Sequence, residues 1–152
     1  METTKEDCVI FTRLHENAII PWRSTKGSAG YDLFSPIDIK ISSREIVKIP
    51  LDIAMKIPAD CFCTIVGRSS EMMRTLHVYP RYIDSDYYGN IEIDVQNTDK
   101  SSSIKIVKHA KLAQMIITKK SDLQFKEISN EEFLKLYKLE EEQKRNVLTT
   151  PV

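Results

Sequence analysis

Apolar and polar residues alternate along most of this chain, so the dominant hydrophobic period is two rather than 3.6. Asn90-Ile91-Glu92-Ile93-Asp94-Val95-Gln96 is the cleanest run, with three apolar residues on one face and polar ones on the other. Ile37 to Ile41, Ile46 to Ile49, Ile53 to Ile57, Phe62 to Val66, Ile104 to Val107 and Leu112 to Thr118 behave alike. Val9 to Leu14 predicts an early strand with both faces partly covered, and Leu123-Gln124-Phe125 a late one. Turn-forming clusters separate them: Ser35-Pro36, Ser42-Ser43, Pro58-Ala59-Asp60 and Thr98 to Ser103. Many short strands at near-regular spacing predict an all-β sandwich or barrel.

One stretch departs from that rhythm. Ser129 stands three residues before Glu132, the spacing of a capping box, and Phe133, Leu136 and Tyr137 then recur on one helical side. The helical pattern runs through Glu140-Glu141-Glu142 to Lys144-Arg145, and Val147 to Val152 reads as a loose tail. The expected organisation is a barrel over residues 1–128, followed by a short helix and tail over 129–152.

Composition removes several function classes. Lys plus Arg and Asp plus Glu each total 22, so the chain lacks the broad basic field of a non-specific nucleic-acid binder. Its only four glycines are Gly27, Gly30, Gly67 and Gly89, which excludes a Rossmann fingerprint and a P-loop. No apolar run approaches the roughly 20 residues needed to span a bilayer. Met1 to Asp7 is polar, with no signal-peptide character. Three cysteines, an odd number, then suit reduced thiols in an intracellular setting, cytoplasm or nucleus. Cys61 and Cys63 share a strand face and read as small buried apolar groups rather than metal ligands.

Three polar segments fall where an all-β protein places binding loops. Ser28-Ala29-Gly30-Tyr31-Asp32-Leu33 pairs a close-approach glycine with a carboxylate. Gly67-Arg68-Ser69-Ser70 joins a guanidinium to two hydroxyls, a grip suited to phosphate because Arg can fork onto two oxygens. Tyr82 to Asn90 crowds Asp84, Asp86, Tyr87 and Tyr88 into a turn, with Asp84 at a strand end where a general base is held firmly. Each alone is ordinary turn chemistry.

Together, and with Lys111-Leu112-Ala113-Gln114-Met115 behind them, they resemble four ordered motifs of the trimeric dUTPase family. Ala29 to Leu33 is similar to the first motif and Gly67 to Ser70 to the second, with Arg74 where a basic residue follows. Ile83 to Gly89 is similar to the third and Lys111 to Met115 to the fourth. The resemblance spans roughly Ile20 to Thr118 and implies a jelly-roll-like β-barrel of the dUTPase type with a short C-terminal helix. It also implies a homotrimer with sites at subunit interfaces, hydrolysing dUTP to dUMP and pyrophosphate with Mg²⁺ on the triphosphate. On that basis Asp32 reaches the metal through water, while Arg68, Ser69, Ser70 and Gln114 hold the substrate. Asp84 contacts the 3′-hydroxyl and orients the attacking water, and Tyr87 lies beneath the deoxyribose.

The chain departs from the family in three places. The glycine-rich fifth motif is lacking, since no glycine follows Gly89. Tyr79-Pro80-Arg81 stands where the base-reading hairpin has small residues, and Ala110 where an acidic residue is frequent. A weakly active or non-catalytic interaction module, as in some virus-encoded relatives, is therefore the first alternative. The terminal Thr150-Pro151-Val152 matches the pattern that PDZ domains capture. A dCTP deaminase-like enzyme ranks lower, because Asp94 would replace the glutamate ten positions after Asp84. The expected partner is a deoxynucleotide, with no membrane and no nucleic acid.

Overall fold

A computed structural model describes residues 8–68 and 74–148. It divides by contacts into two units, residues 1–120 and 121–152.

Among the described residues the first unit holds eleven short strands, and every pairing is antiparallel. They are β1 (Ile10–Arg13), β2 (Tyr31–Phe34), β3 (Ile39–Ile41), β4 (Ile46–Pro50), β5 (Ile53–Lys56) and β6 (Cys61–Gly67). The rest are β7 (Leu76–Val78), β8 (Arg81–Ile83), β9 (Glu92–Asn97), β10 (Ile104–Ile106) and β11 (Lys111–Lys119). One sheet has the order β2-β11-β6-β8 and another β4-β9-β7, while β1 pairs with β5 and β10 with β3. The all-β class is the one the alternating pattern predicts, and the jelly-roll-like arrangement is the one the family resemblance implies.

The period-two pattern decides which face is buried. Ile93, Val95 and Asn97 of β9 point inward and Glu92, Asp94 and Gln96 face outward; Cys61, Cys63 and Ile65 of β6 do the same for their sheet. Burying these side chains on one face fixes the register, because a one-residue slip would expose all of them. Asn97 is the polar residue on the inward face of β9. Its amide donates to the Ile41 and Ser102 carbonyls at 3.1 and 2.8 Å and its oxygen accepts from the Asp99 amide at 2.9 Å. The long connection into β10 is thereby tied to the core.

Several elements differ from the alternating pattern. Tyr31 to Phe34 is a strand rather than a binding loop, so Asp32 projects from regular sheet. β1 is largely exposed, with only Phe11 half-buried; among the described residues it pairs with β5 alone. Ile37 and Asp38 precede β3 rather than belonging to it. Leu123 to Phe125 is not a strand: alternation favours an extended chain, but a strand also needs a partner, and none pairs with it among the described residues. Leu123 and Phe125 are 83% and 105% exposed.

The second unit carries α1 (Asn130–Leu148), which takes in Val147 and Leu148 rather than leaving them to a tail. The capping box forms as expected. The Glu132 amide donates to Ser129 Oγ at 3.2 Å, while the Ser129 amide at 3.0 Å and its hydroxyl at 3.1 Å donate to Glu132 Oε2 and hold that carboxyl below its usual range. Among the described residues no helix is long and apolar enough to cross a membrane. Thr150 to Val152 lies outside the described residues.

Candidate active site

The phosphate-type residues meet where β2, β11 and β6 run side by side. Asp32 stands opposite Gln114 in the β2–β11 register, and Gln114 stands opposite Val66 in β11–β6, so three strands place their side chains together. The Gln114 amide donates to the Gly67 carbonyl at 3.4 Å. Gly30 makes room for it: a Cβ there would lie 2.8 Å from Gln114 Oε1 and 3.2 Å from the Met115 carbonyl oxygen. A side chain here would displace the Gln114 amide and crowd the Met115 carbonyl.

Asp32 is only 6% exposed. Arg68 Nε lies 3.4 Å from its Oδ1 and Lys111 Nζ 3.2 Å from its Oδ2. Oδ2 is buried and has no aligned hydrogen bond, so the Lys111 contact is one of charge rather than a directed bond. Lys111 also sits 5.4 Å above the Trp22 ring, which stacks on Phe34 at 6.3 Å. One buried carboxylate between two cations leaves a net positive charge, an environment that welcomes an anion such as phosphate.

The second group lies elsewhere. Asp84 is exposed at the end of β8, and its carbonyl accepts the Tyr87 amide at 3.1 Å to close a turn. The Tyr87 hydroxyl donates to the Asn90 carbonyl at 2.8 Å, and Asn90 in turn exchanges hydrogen bonds with Asp52 at 3.0 Å. A Cβ at Gly89 would meet the Tyr87 hydroxyl at 2.7 Å, so this glycine lets the ring fold back over the turn. Arg81, in the altered hairpin, has its guanidinium 6.0 Å from the Tyr87 ring centre and reaches Glu92 Oε2 at 3.5 Å.

These two groups do not converge within one chain. Ile83 pairs with Cys63 and Arg81 with Ile65, which sets Asp84 beside Phe62, near the start of β6. Arg68 follows the end of that strand. Six strand steps of about 3.3 Å put the two backbones roughly 20 Å apart. Asp32, Arg68 and Gln114 are together, while Asp84 and Tyr87 are together at the other end. Ser69 and Ser70 lie outside the described residues.

Cys63 is fully buried on β6, and desolvation pushes its thiol up to about 12, an inert group as the sequence suggests. Asp94 faces outward on β9 opposite Lys48 in the β4 register. No cluster of three or more His, Cys, Asp or Glu side chains suited to a metal occurs among the described residues. Trp22 is a neighbour that sequence reasoning passed over, and Lys111 was named there as the start of the fourth motif without a role of its own. Lys111 opens β11 two residues before the inward-facing Ala113 and Met115 begin their alternation, a charged residue at a strand start.

This jelly-roll-type barrel, with its Gly30–Asp32, Arg68 and Gln114 cluster, matches the dUTPase family over residues 16–141. The chain belongs to that family. It is 36% identical over 113 residues to the deoxyuridine 5′-triphosphate nucleotidohydrolase of Fowl adenovirus A serotype 1, covering 74% of this chain and 63% of that protein. With the Yaba monkey tumor virus enzyme the identity is 34% over 76% of this chain and 80% of the other. With the Mus musculus enzyme it is 35% over 70% and 65%. The matched stretch thus spans less than two thirds of the fowl adenovirus and mouse proteins. Among solved structures, a mutant dUTPase from phage phi11 of S. aureus, described with a structural Mg(II) ion, superposes with a TM-score of 0.76. That likeness covers 82% of this chain and 98% of the phage chain at 25% identity.

Proposed function

We propose that this protein hydrolyses dUTP to dUMP and pyrophosphate, at sites completed between copies of the chain in a homotrimer. The observation that carries this reading is the division of the site. A phosphate-attracting cluster of Asp32, Arg68, Lys111 and Gln114 forms at one end of β6, and a carboxylate with an aromatic ring, Asp84 and Tyr87, at the other. A closed rotational assembly brings the first group of one copy against the second group of the next.

In this reading the substrate is the magnesium complex of the triphosphate, and the metal arrives with it. The residues fit that order of events. A carboxylate flanked by two cations is a poor resting place for a bare dication, yet a charge-balanced magnesium triphosphate suits it, with Asp32 touching the metal only through water. Arg68 and Gln114, with Ser69 and Ser70, hold phosphate oxygens as charge builds on them. Asp84 holds the 3′-hydroxyl and takes a proton from water as that water attacks the α-phosphorus. The α–β bridging bond then breaks, and the electron pair leaves on pyrophosphate. Tyr87, pinned through Asn90 and Asp52, supports the deoxyribose face. Three free cysteines suit a reducing compartment such as cytoplasm or nucleus.

Pyrophosphate release with magnesium across dUTP, UTP and the four standard deoxynucleoside triphosphates tests the reading. Release from dUTP above all others is expected, and Asp84→Asn is expected to abolish it with the circular dichroism unchanged. Wild-type protein releasing no pyrophosphate from dUTP refutes the assignment.

A further inference from the structure

The Asp32 carboxylate is shared between two cations in an unusual way. Arg68 approaches Oδ1 through Nε, the nitrogen nearest its stem, at 3.4 Å, while Lys111 lies 3.2 Å from Oδ2, which accepts no hydrogen bond, so a two-pronged pair with Arg68 is not formed. An arginine and a carboxylate left to themselves favour the two-pronged pair, in which two N–H groups bind both oxygens. That pair would consume the edge of the guanidinium that a phosphate needs.

The strand is built to prevent it. The β2–β11 register shifts between Lys111 and Ala113, so Leu112 is an extra residue in β11. Leu112 and Ala113 are consequently buried in succession, and alternation resumes with Gln114 outward. Without the bulge Lys111 would share the inward face of Ala113 and Met115; with it, Lys111 and Gln114 both turn to Asp32. Bulges of this kind re-aim side chains beside functional sites. The Trp22 ring 5.4 Å below the ammonium adds a second support that holds Lys111 in place.

We propose that Lys111 is a positioning residue which occupies Asp32 Oδ2, blocks the two-pronged Asp32–Arg68 pair and so keeps the outer nitrogens of Arg68 open to the substrate's phosphates. Lys111 acts through Asp32 and does not itself hold phosphate. The inference deepens the phosphate-binding reading above and rests on it.

The test uses the full chain with Lys111→Met, Lys111→Arg and Asp32→Asn, singly and with Lys111→Met combined with Asp32→Asn. Calorimetric titration with magnesium and inorganic triphosphate reads binding, and the Nε–Hε signal of Arg68 in nitrogen-15 arginine-labelled protein reads its pairing. Lys111→Met is expected to lower triphosphate affinity by about tenfold, the size of one charge-assisted hydrogen bond. The Arg68 signal is expected to become more protected from exchange as the two-pronged pair forms. Lys111→Arg is expected to keep both readings near wild type, and Lys111→Met to cost little once Asp32→Asn has removed the competing charge. Equal loss with and without Asp32→Asn means that Lys111 grips phosphate directly and overturns the proposal. Unchanged affinity and an unchanged Arg68 signal also overturn it. Should Lys111→Met fail to fold, Lys111→Gln carries the same comparison. A wild-type protein that binds magnesium triphosphate but releases no pyrophosphate from dUTP defeats the proposed activity alone, since the Arg68 signal and the titration still decide the role of Lys111.

Discussion

If each site takes Arg68 from one copy and Asp84 from another, two inactive proteins should make an active one. Arg68→Met disables only the cluster on β2, β11 and β6, and Asp84→Asn only the turn after β8. The roughly 20 Å between those positions, set by the β6–β8 register, puts them beyond a single site's reach in one chain. Equal amounts of the two variants, unfolded together and refolded, assemble at random. A site then works when its first copy carries only Asp84→Asn and its second only Arg68→Met. Each condition holds for half the copies, so about a quarter of the sites regain both groups in any closed ring. Pyrophosphate release from magnesium dUTP, normalised to wild type refolded alongside, is expected at about 25%. The separately refolded variants stay at background. Mixed oligomers verified by native mass spectrometry but inactive would refute the divided site, because a self-contained site always inherits one lesion from its own chain.

Three further substitutions test how fold and site are joined. Gly30→Ala adds a methyl 3.2 Å from the Met115 carbonyl and 2.8 Å from Gln114 Oε1; no glycine here has positive φ, so the effect comes from contact alone. A loss of about 1–2 kcal/mol in urea unfolding and weaker magnesium–dUTP binding are expected, and retained binding would detach Gln114 from the substrate. Asn97→Ala removes two donors and an acceptor from the core and is expected to cost about 3 kcal/mol by the same unfolding measurement; a change under about 1 kcal/mol contradicts the role given to that amide. Burial raises the Cys63 thiol from 9.0 to about 12, so the unfolded chain loses that proton first. Its contribution to stability is whole below pH 9 and declines as pH climbs towards about 12. Cys63→Ala is therefore expected to flatten the fall in urea midpoint between about pH 8 and about pH 10, and an equally steep fall removes the thiol from the account.

Period-two alternation carried most of the barrel, because one buried face leaves a direct trace in strands such as β6 and β9. It failed where both faces are covered. Asp32, Leu33 and Phe34 are buried in succession on β2, which erases the alternation and makes the segment read as a loop. It failed again at Leu123 to Phe125, where an extended pattern has no strand to pair with. The bulge at Leu112 is invisible in the sequence, since Lys-Leu-Ala-Gln reads equally well as an unbroken strand. The four motifs were legible as residue types, but their division into two groups was not. Arg68 and Asp84 are 16 positions apart along the chain, yet the antiparallel return of β8 carries Asp84 back to the beginning of β6. Only register reveals that distance.

The two halves of the site are anchored in different ways, and this governs which of them can change. Asp32 is buried, Gly30 packs against Gln114, and Lys111 is aimed by a bulge in the strand central to its sheet. Substitutions there disturb strand packing as well as phosphate binding. The base-side hairpin is different: Tyr82 is 69% exposed, Pro80 donates no backbone hydrogen bond, and Arg81 is tethered by the outward-facing Glu92. Substitutions at Tyr79, Pro80 and Arg81 are therefore expected to disturb the packed interior less than substitutions at Gly30, Asp32 or Gln114 do, as urea unfolding of the two sets would show.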